Sequence, residues 1–244
     1  MSPSRELWFD RAFGEFYPLV YAHRDEACAA REVDFVRRIV PILPTHRVLD
    51  LGCGAGRHVE AMRAAGIRNV HGLDRSWSLL MRASLGLSVF RGDMRTLPIS
   101  SAALDIVTSF FTSFGYFETS SEDMSVLEEV VRVLRPNGRY FLDYMDAAHV
   151  RRSLIPRSER TVGAISILEE RSIVGSRVMK SVRIKAPDGK EEHYEESVRL
   201  YDPDEMLSML DAVGLRPLAT YSDLEGRSAG TGPRWIVVAE RGVG

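Results

Sequence analysis

The run HRVLDLGCGAGRH at residues 46–58 restricts what this chain can fold into more than any other feature. Val48, Leu49 and Leu51 read as a short apolar strand that carries Asp50. Gly52, Gly54 and Gly56 follow at alternate positions, and residues 57–65 then read as helix. A strand that breaks into a glycine turn and then a helix exposes backbone N–H groups to a ligand, because glycine takes left-handed backbone angles and has no Cβ in the way. The spacing is G-x-G-x-G. Arg57 stands where the dinucleotide fingerprint G-x-G-x-x-G needs its last glycine. The ligand therefore need not be a pyrophosphate, and a nicotinamide dehydrogenase is disfavoured.

Three further segments extend the pattern. NVHGLD at 69–74 reads as a second strand with Asp74 at its tip. In a parallel nucleotide-binding sheet this is where an acid accepts both hydroxyls of a ribose, although such a residue also serves as an ordinary helix cap. LSVFRGD at 87–93 reads as a third strand ending in Asp93, followed by Met94. A carboxylate there can accept from an exocyclic amine, and an apolar neighbour can lie on a base; a Gly-Asp pair is also common in turns. LDIVTSFF at 104–111 is a fourth strand whose end borders the same crevice. Asp50 is expected to organise the glycine turn through backbone N–H groups.

The rest of the chain supplies the layers. Residues 26–40 read as a helix stopped by Pro41 and Pro44, and residues 121–134 as another, capped by Ser121. RPNG at 135–138 reads as a turn and RYFLDYM at 139–145 as a fifth strand. Strands alternating with helices imply a parallel sheet covered on both faces. The pattern changes in residues 162–200, where three β-like stretches are separated by Gly175-Ser176 and by PDGK at 187–190. A helix over 203–213 and strands near 216–222 and 234–240 complete the chain. The expected organisation is an N-terminal helical cap (1–45), an α/β domain (46–150 with 201–244) and an antiparallel β insertion (151–200) acting as a lid.

With 32 basic and 34 acidic residues the net charge is −2, which lacks the positive excess of a dedicated nucleic-acid binder. Cys28 and Cys53 form neither a disulfide framework nor a zinc spacing, and no metal is expected. Arg5, Glu6 and Asp10 so near the start do not read as a secretory signal, and no run reaches membrane-spanning length. A cytoplasmic protein, monomer or homodimer, is expected.

Residues 45–145 resemble the nucleoside-binding half of the class I S-adenosylmethionine-dependent methyltransferases. DLGCGAGRH is similar to the family's first motif and LDRS at 73–76 to its second. SVRLYDPDEMLSMLDAVGL and FFTSFGYFE resemble the small-molecule branch, including amine N-methyltransferases. The resemblance implies an α/β, Rossmann-like seven-stranded mostly parallel sheet with an antiparallel last strand, plus the inserted antiparallel β lid. It implies S-adenosylmethionine as cofactor, with Gly52, Gly54 and Gly56 near its methionine and ribose, Asp74 and the adjoining Arg75 at the ribose, Asp93 and Met94 at the adenine, and Phe110 or Phe111 near the reacting centre. Tyr21, with Tyr17, His23 and Arg24, belongs to a segment that in this family often folds over the cofactor.

The implied reaction is methyl transfer to a small-molecule amine or hydroxyl by in-line displacement, in which the protein aligns the reactants and excludes water. Asp143, Tyr144 and His149 are the candidates for orienting or deprotonating the acceptor. Phe111, Tyr116, Arg199 and Tyr201 are the candidates for its recognition, each with packing as the competing role. A methyltransferase acting on RNA, DNA or protein is the second reading. It is weakened by the absence of Asn/Asp-Pro-Pro-Tyr after the fourth strand, where TSFFTSFGYF stands. A non-catalytic S-adenosylmethionine-binding module is the third.

Overall fold

In a computed structural model of the chain, the first five strands follow in the order the sequence implies, with a helix between each pair except the third and fourth. The structure describes residues 8–14, 16–22, 24–228, 230 and 232–243, with Asp10 by its backbone alone. Helices α1 (Trp8–Ala12), α2 (Tyr17–Val20) and α3 (Glu26–Ile39) precede β1 (Arg47–Leu51). Then come α4 (Arg57–Ala64), β2 (Asn69–Asp74), α5 (Trp77–Leu80), β3 (Val89–Arg91), β4 (Leu104–Ser109), α6 (Ser120–Val133) and β5 (Leu134–Met145). After α7 (Ala147–Ser153) the chain forms β6 (Arg157–Val162), β7 (Ile165–Val174), β8 (Arg177–Lys185) and β9 (Glu191–Arg199). It ends with α8 (Pro203–Ala212), β10 (Leu215–Tyr221) and β11 (Arg234–Arg241).

The main sheet has seven strands in the order β10-β11-β5-β4-β1-β2-β3. Pairing is parallel from β3 to β5, and β11 runs antiparallel to both of its neighbours. β4 is buried at every position, as a central strand covered on both faces must be. Strand order reverses at β1, between β2 and β4. In open α/β sheets the crevice at such a reversal, beyond the carboxyl ends of the strands, is where ligands bind.

β6 to β9 form a separate antiparallel sheet. Its inner face (Ile167, Val182, Ile184, Tyr194) packs on Ala12 and Val20 of α1 and α2. The N-terminal helices therefore lie between this sheet and the main one. Three local expectations need correction. The insertion has four strands rather than three: β6 carries mostly polar residues, so no apolar alternation marks it in the sequence. The cap of α6 is Thr119, whose hydroxyl accepts from Glu122 N–H while the Glu122 side chain returns to Thr119 N–H, a reciprocal box that Ser121 cannot make. RPNG does not end before a new strand: β5 already begins at Leu134, with a register shift against β4 between Leu104 and Ile106.

Candidate active site

The tips of β1, β2 and β4 and the loop after β3 surround a cavity of about 260 Å³. Gly52, Gly54, Asp74, Arg75, Asp93 and Met94 line one side. Phe110, Phe111, Ser113 and Tyr116 line another, and Phe13, Tyr17, Tyr21 and Arg24 close it from the N-terminal segment. His23 lies outside the described residues.

The glycine turn is built by its backbone. Gly52, Gly54 and Gly56 have φ of 80°, 56° and 82°. Gly52 and Cys53 N–H donate to the Leu73 carbonyl at 2.8 and 3.0 Å, which ties the turn to β2. A Cβ on Gly52 would stand 2.7 Å from the Ser113 side chain, so the loop after β4 can close over this turn only because residue 52 has none. Gly56 departs from expectation. It lies outside the cavity wall, and its missing Cβ makes room for Leu87 and Val89 beside α4.

The turn is organised by Asp74 and not, as expected, by Asp50. Asp74 Oδ2 accepts Gly54 N–H and Oδ1 accepts Ser76 N–H, each at 2.7 Å, so the acid at the tip of β2 organises the turn. Burial raises its pKa, and these backbone donors work against the rise. A carboxylate has about four acceptor positions; Gly54, Ser76 and Arg75 N–H draw on them, and what remains can face a diol. Asp50 sits within β1, in register with Thr108, and its side chain points out of the sheet. Its Oδ1 accepts from Thr108 Oγ1 at 3.0 Å, Oδ2 has no hydrogen-bond partner, and burial pushes its pKa up to about 7.

Asp93 is already engaged. Arg95 reaches its two oxygens at 3.1 and 2.7 Å and Arg75 reaches one at 3.1 Å. Burial opposes ionisation, but these guanidiniums hold its pKa below the usual range. At the rim Asp93 therefore fixes Arg75 and Arg95, beside Met94.

Behind Phe110 and Phe111 lies a buried charge network that the sequence did not announce. The His58 ring stacks on Phe110 with centroids 3.8 Å apart, and its Nε2 is 2.8 Å from Glu32. Burial lowers its pKa to about 4, so it is neutral. Glu32, on α3, also accepts from Arg57 at 3.3 Å and from Arg234 at 2.9 Å. Arg234 donates to Asp143 at 3.0 Å, and Asp143 accepts Phe111 N–H at 3.1 Å. These partners come from four separate elements, so no local spacing marks them.

The catalytic candidates Asp143 and Tyr144, in β5, and His149, in α7, are not brought to the cavity. Asp143 and Tyr144 are consecutive strand residues and face opposite sides of the sheet. Asp143 is buried behind Phe111, where burial raises its pKa to about 6. Tyr144 packs with Phe114 and Tyr201 and donates to the Arg199 carbonyl. His149 stands in the first turn of α7, whose cap Asp146 accepts its N–H at 2.6 Å, away from the cavity. Arg199 and Tyr201 are likewise absent from the wall. Tyr201 donates to the buried Asp123 at 2.8 Å and Arg199 to the Glu118 carbonyl at 2.9 Å, joining β9 to the start of α6. Phe111 and Tyr116, in contrast, do line the cavity, as do Tyr21 and Arg75. Tyr21 donates to Glu196 at 2.8 Å and accepts from Lys180 at 2.8 Å, which links the second sheet to the cavity wall. Arg24 is held between the rings of Tyr21 and Phe111, 4.1 and 4.5 Å from their centroids.

Residues 48–138 match the family model described as a methyltransferase domain. Over 214 residues, 83% of this chain and 84% of its relative, the chain is 24% identical to the dTDP-4-amino-2,3,4,6-tetradeoxy-D-glucose N,N-dimethyltransferase of Saccharopolyspora spinosa. It is an S-adenosylmethionine-dependent methyltransferase. The methyltransferase is also 34% identical over 111 residues (43% of this chain, 44% of the relative) to a cypemycin N-terminal methyltransferase of a Streptomyces species. Its fold is that of an S-adenosylmethionine-dependent methyltransferase from Clostridium acetobutylicum, with a TM-score of 0.81, 19% identity and coverage of 93% of this chain and 96% of the other. No helix among the described residues is long and apolar enough to cross a membrane.

S-adenosylmethionine is the cofactor, and the cavity fits it chemically. The bare glycine edge, the acid at the tip of β2, the apolar Met94 and the aromatic residues after β4 are the surfaces that an amino-acid tail, a ribose, a base and a sulfonium require.

Proposed function

We propose that the enzyme methylates the amine nitrogen of a small-molecule acceptor. The observation that carries this reading is the aromatic wall opposite the glycine turn. Phe13 stands 5.2 Å from Tyr17 and 5.7 Å from Tyr116, and Tyr17 stands 4.6 Å from Tyr21, ring centre to ring centre. Ring faces attract cations, so this wall suits both a sulfonium and an ammonium. The amino-sugar N,N-dimethyltransferase aligned along most of the chain supports the same acceptor class.

Bound S-adenosylmethionine supplies a methyl carbon attached to a positively charged sulfur, so the leaving group needs no activation by the protein. Asp74 accepts from the ribose hydroxyls with the lone pairs that the turn leaves to it. Met94 and the arginines fixed by Asp93 border the base. Arg24 meets the carboxylate of the methionine tail: its Nη1 donates to Tyr17 Oη at 3.2 Å, and its buried Nε–H has no acceptor within the protein. Tyr17, Tyr21 and Tyr116 line the cavity, where they would exclude water from the acceptor side and orient its nitrogen. Attack by a neutral amine creates no oxyanion, so no oxyanion hole is required.

The test is transfer of label from isotopically marked S-adenosylmethionine to three panels: amino sugars, peptides with an N-terminal amine, and matched alcohols lacking nitrogen. Label in the amino sugars supports the proposal. Label confined to peptides would move the acceptor toward the second relative's class, and label confined to alcohols would overturn the amine reading.

A further inference from the structure

Two consecutive non-glycine residues at the cavity, Phe111 and Thr112, have φ of 52° and 58°. Bulky and β-branched side chains rarely take these angles, so something must hold them there. One residue does. The Asp143 carboxylate accepts Phe111 N–H at 3.1 Å, and the Asp143 carbonyl accepts Thr112 N–H at 2.8 Å. Asp143 is itself fixed by Arg234, and Arg234 by Glu32.

What this turn presents is the Phe111 ring. Arg24, Arg234 and Arg57 approach it to 4.5, 4.5 and 4.8 Å from the centroid. Arg57 and Arg234 are both tied to Glu32. Arg24 is not bound to either of the two carboxylates, Glu32 and Asp143, that tie this network together. Three guanidiniums thus surround one ring, and of the two that line the cavity, Arg24 and Arg57, only Arg57 is bound by one of these carboxylates.

We infer that Asp143 is a positioning residue for the amino-acid tail of the cofactor: by locking Phe111 in its turn it keeps Arg24 sandwiched between two rings, with its guanidinium set for the tail carboxylate. This rests on the reading of Arg24 given under the proposed function. It replaces proton abstraction as the task of Asp143, whose carboxylate lies behind Phe111.

The experiment compares two ligands by calorimetric titration: S-adenosylhomocysteine, and 5′-methylthioadenosine, which has the same nucleoside but no amino-acid tail. Asp143→Ala, which removes the oxygen that both Phe111 N–H and Arg234 use, is expected to weaken the first at least tenfold and the second less than twofold. Phe111→Leu, which removes the ring but leaves Asp143, should show the same selectivity and decides the matter should the first variant fail to fold. In turnover, Asp143→Ala should raise KM for S-adenosylmethionine, leaving kcat and its pH profile in place. Equal weakening of both ligands, or a changed pH profile of kcat, would overturn the inference. Arg24→Gln tests the underlying reading separately. If it spares the selectivity between the two ligands, the carboxylate assignment fails; if it abolishes the selectivity and the Asp143 and Phe111 variants do not, only the inference fails.

Discussion

Asp74 holds two parts of the site at once, and replacing it separates them. In Asp74→Asn one oxygen becomes an amide nitrogen. Gly54 N–H and Ser76 N–H approach opposite oxygens, each at 2.7 Å. Whichever way the amide turns, its NH2 group meets one of these donors. One backbone N–H therefore loses its acceptor, which costs about 1–3 kcal/mol of stability without any ligand. Hydrogen bonds to a charged partner contribute about 1.5–3 kcal/mol each against about 0.5–1.5 for neutral ones. Two diol bonds reduced from charged to neutral thus lose about 2–3 kcal/mol together, or roughly 30- to 150-fold in affinity at about 1.4 kcal/mol per decade. The assay is calorimetric titration with S-adenosylhomocysteine at a temperature where a melting curve shows the variant folded. Asp93→Asn is the comparison, since that carboxylate is already occupied by Arg75 and Arg95. Affinity within threefold of the parent for Asp74→Asn, or a larger loss for Asp93→Asn, would refute the assignment of the diol to Asp74.

Two further outcomes follow from packing and from titration. In Gly72→Ala the new Cβ would lie 2.6 Å from Cys53 Sγ and 2.9 Å from Val59 Cγ2, so crowding between β2 and the turn should lower stability by about 1–3 kcal/mol in a denaturant titration. Asp50→Asn probes the pH dependence of stability: the folded chain keeps the Asp50 proton to about pH 7, and the unfolded chain releases it near 3.8. A raised folded pKa gives stability that is full below the unfolded value and is lost as pH rises through the folded one. The melting temperature of Asp50→Asn relative to the parent should therefore climb between about pH 4 and 7, and a difference that stays flat across this window would contradict the protonated state of Asp50.

The order of strands was legible because it is written in local pattern. Each parallel strand is a short apolar run, and each ends in turn chemistry that any sequence window contains. The acid at the tip of β2 and the glycines were legible for the same reason. The division of labour between Asp50 and Asp74 was not, because it depends on where within the strand each side chain leaves the sheet. A shift of one residue reverses the face, and this also explains how Asp143 and Tyr144, adjacent in sequence, serve different layers. The network around Phe111 was still less accessible. Glu32 and Arg234 are 202 positions apart and meet only when α3 and β11 are packed on the sheet. β6 was lost because its sequence RSERTV offers no apolar periodicity, even though it pairs with β7 along its whole length.

The second sheet was expected to cover the pocket and read the acceptor through Arg199 and Tyr201. Instead its apolar face is used up against α1 and α2, and among the described residues none of its four strands lines the cavity. Its polar centre is equally committed. Lys180 is buried, 2.9 Å from Glu169 and 3.4 Å from Glu196, and Glu169 also binds Arg160 and Arg171. Burial opposes the charge on Glu169, yet these cations hold its pKa down to about 2. Removing one member of such a network strands a charge in low dielectric, so these positions tolerate little change. Tyr21, bonded to Glu196 and Lys180, carries the sheet's rigidity to the cavity wall. A change of acceptor is therefore accommodated most cheaply in the N-terminal segment and in the loop after β4. There Phe13 and Tyr116 touch the cavity through ring contacts that can be resized without uncovering a buried ion, whereas Tyr17 is tied to the buried Arg24.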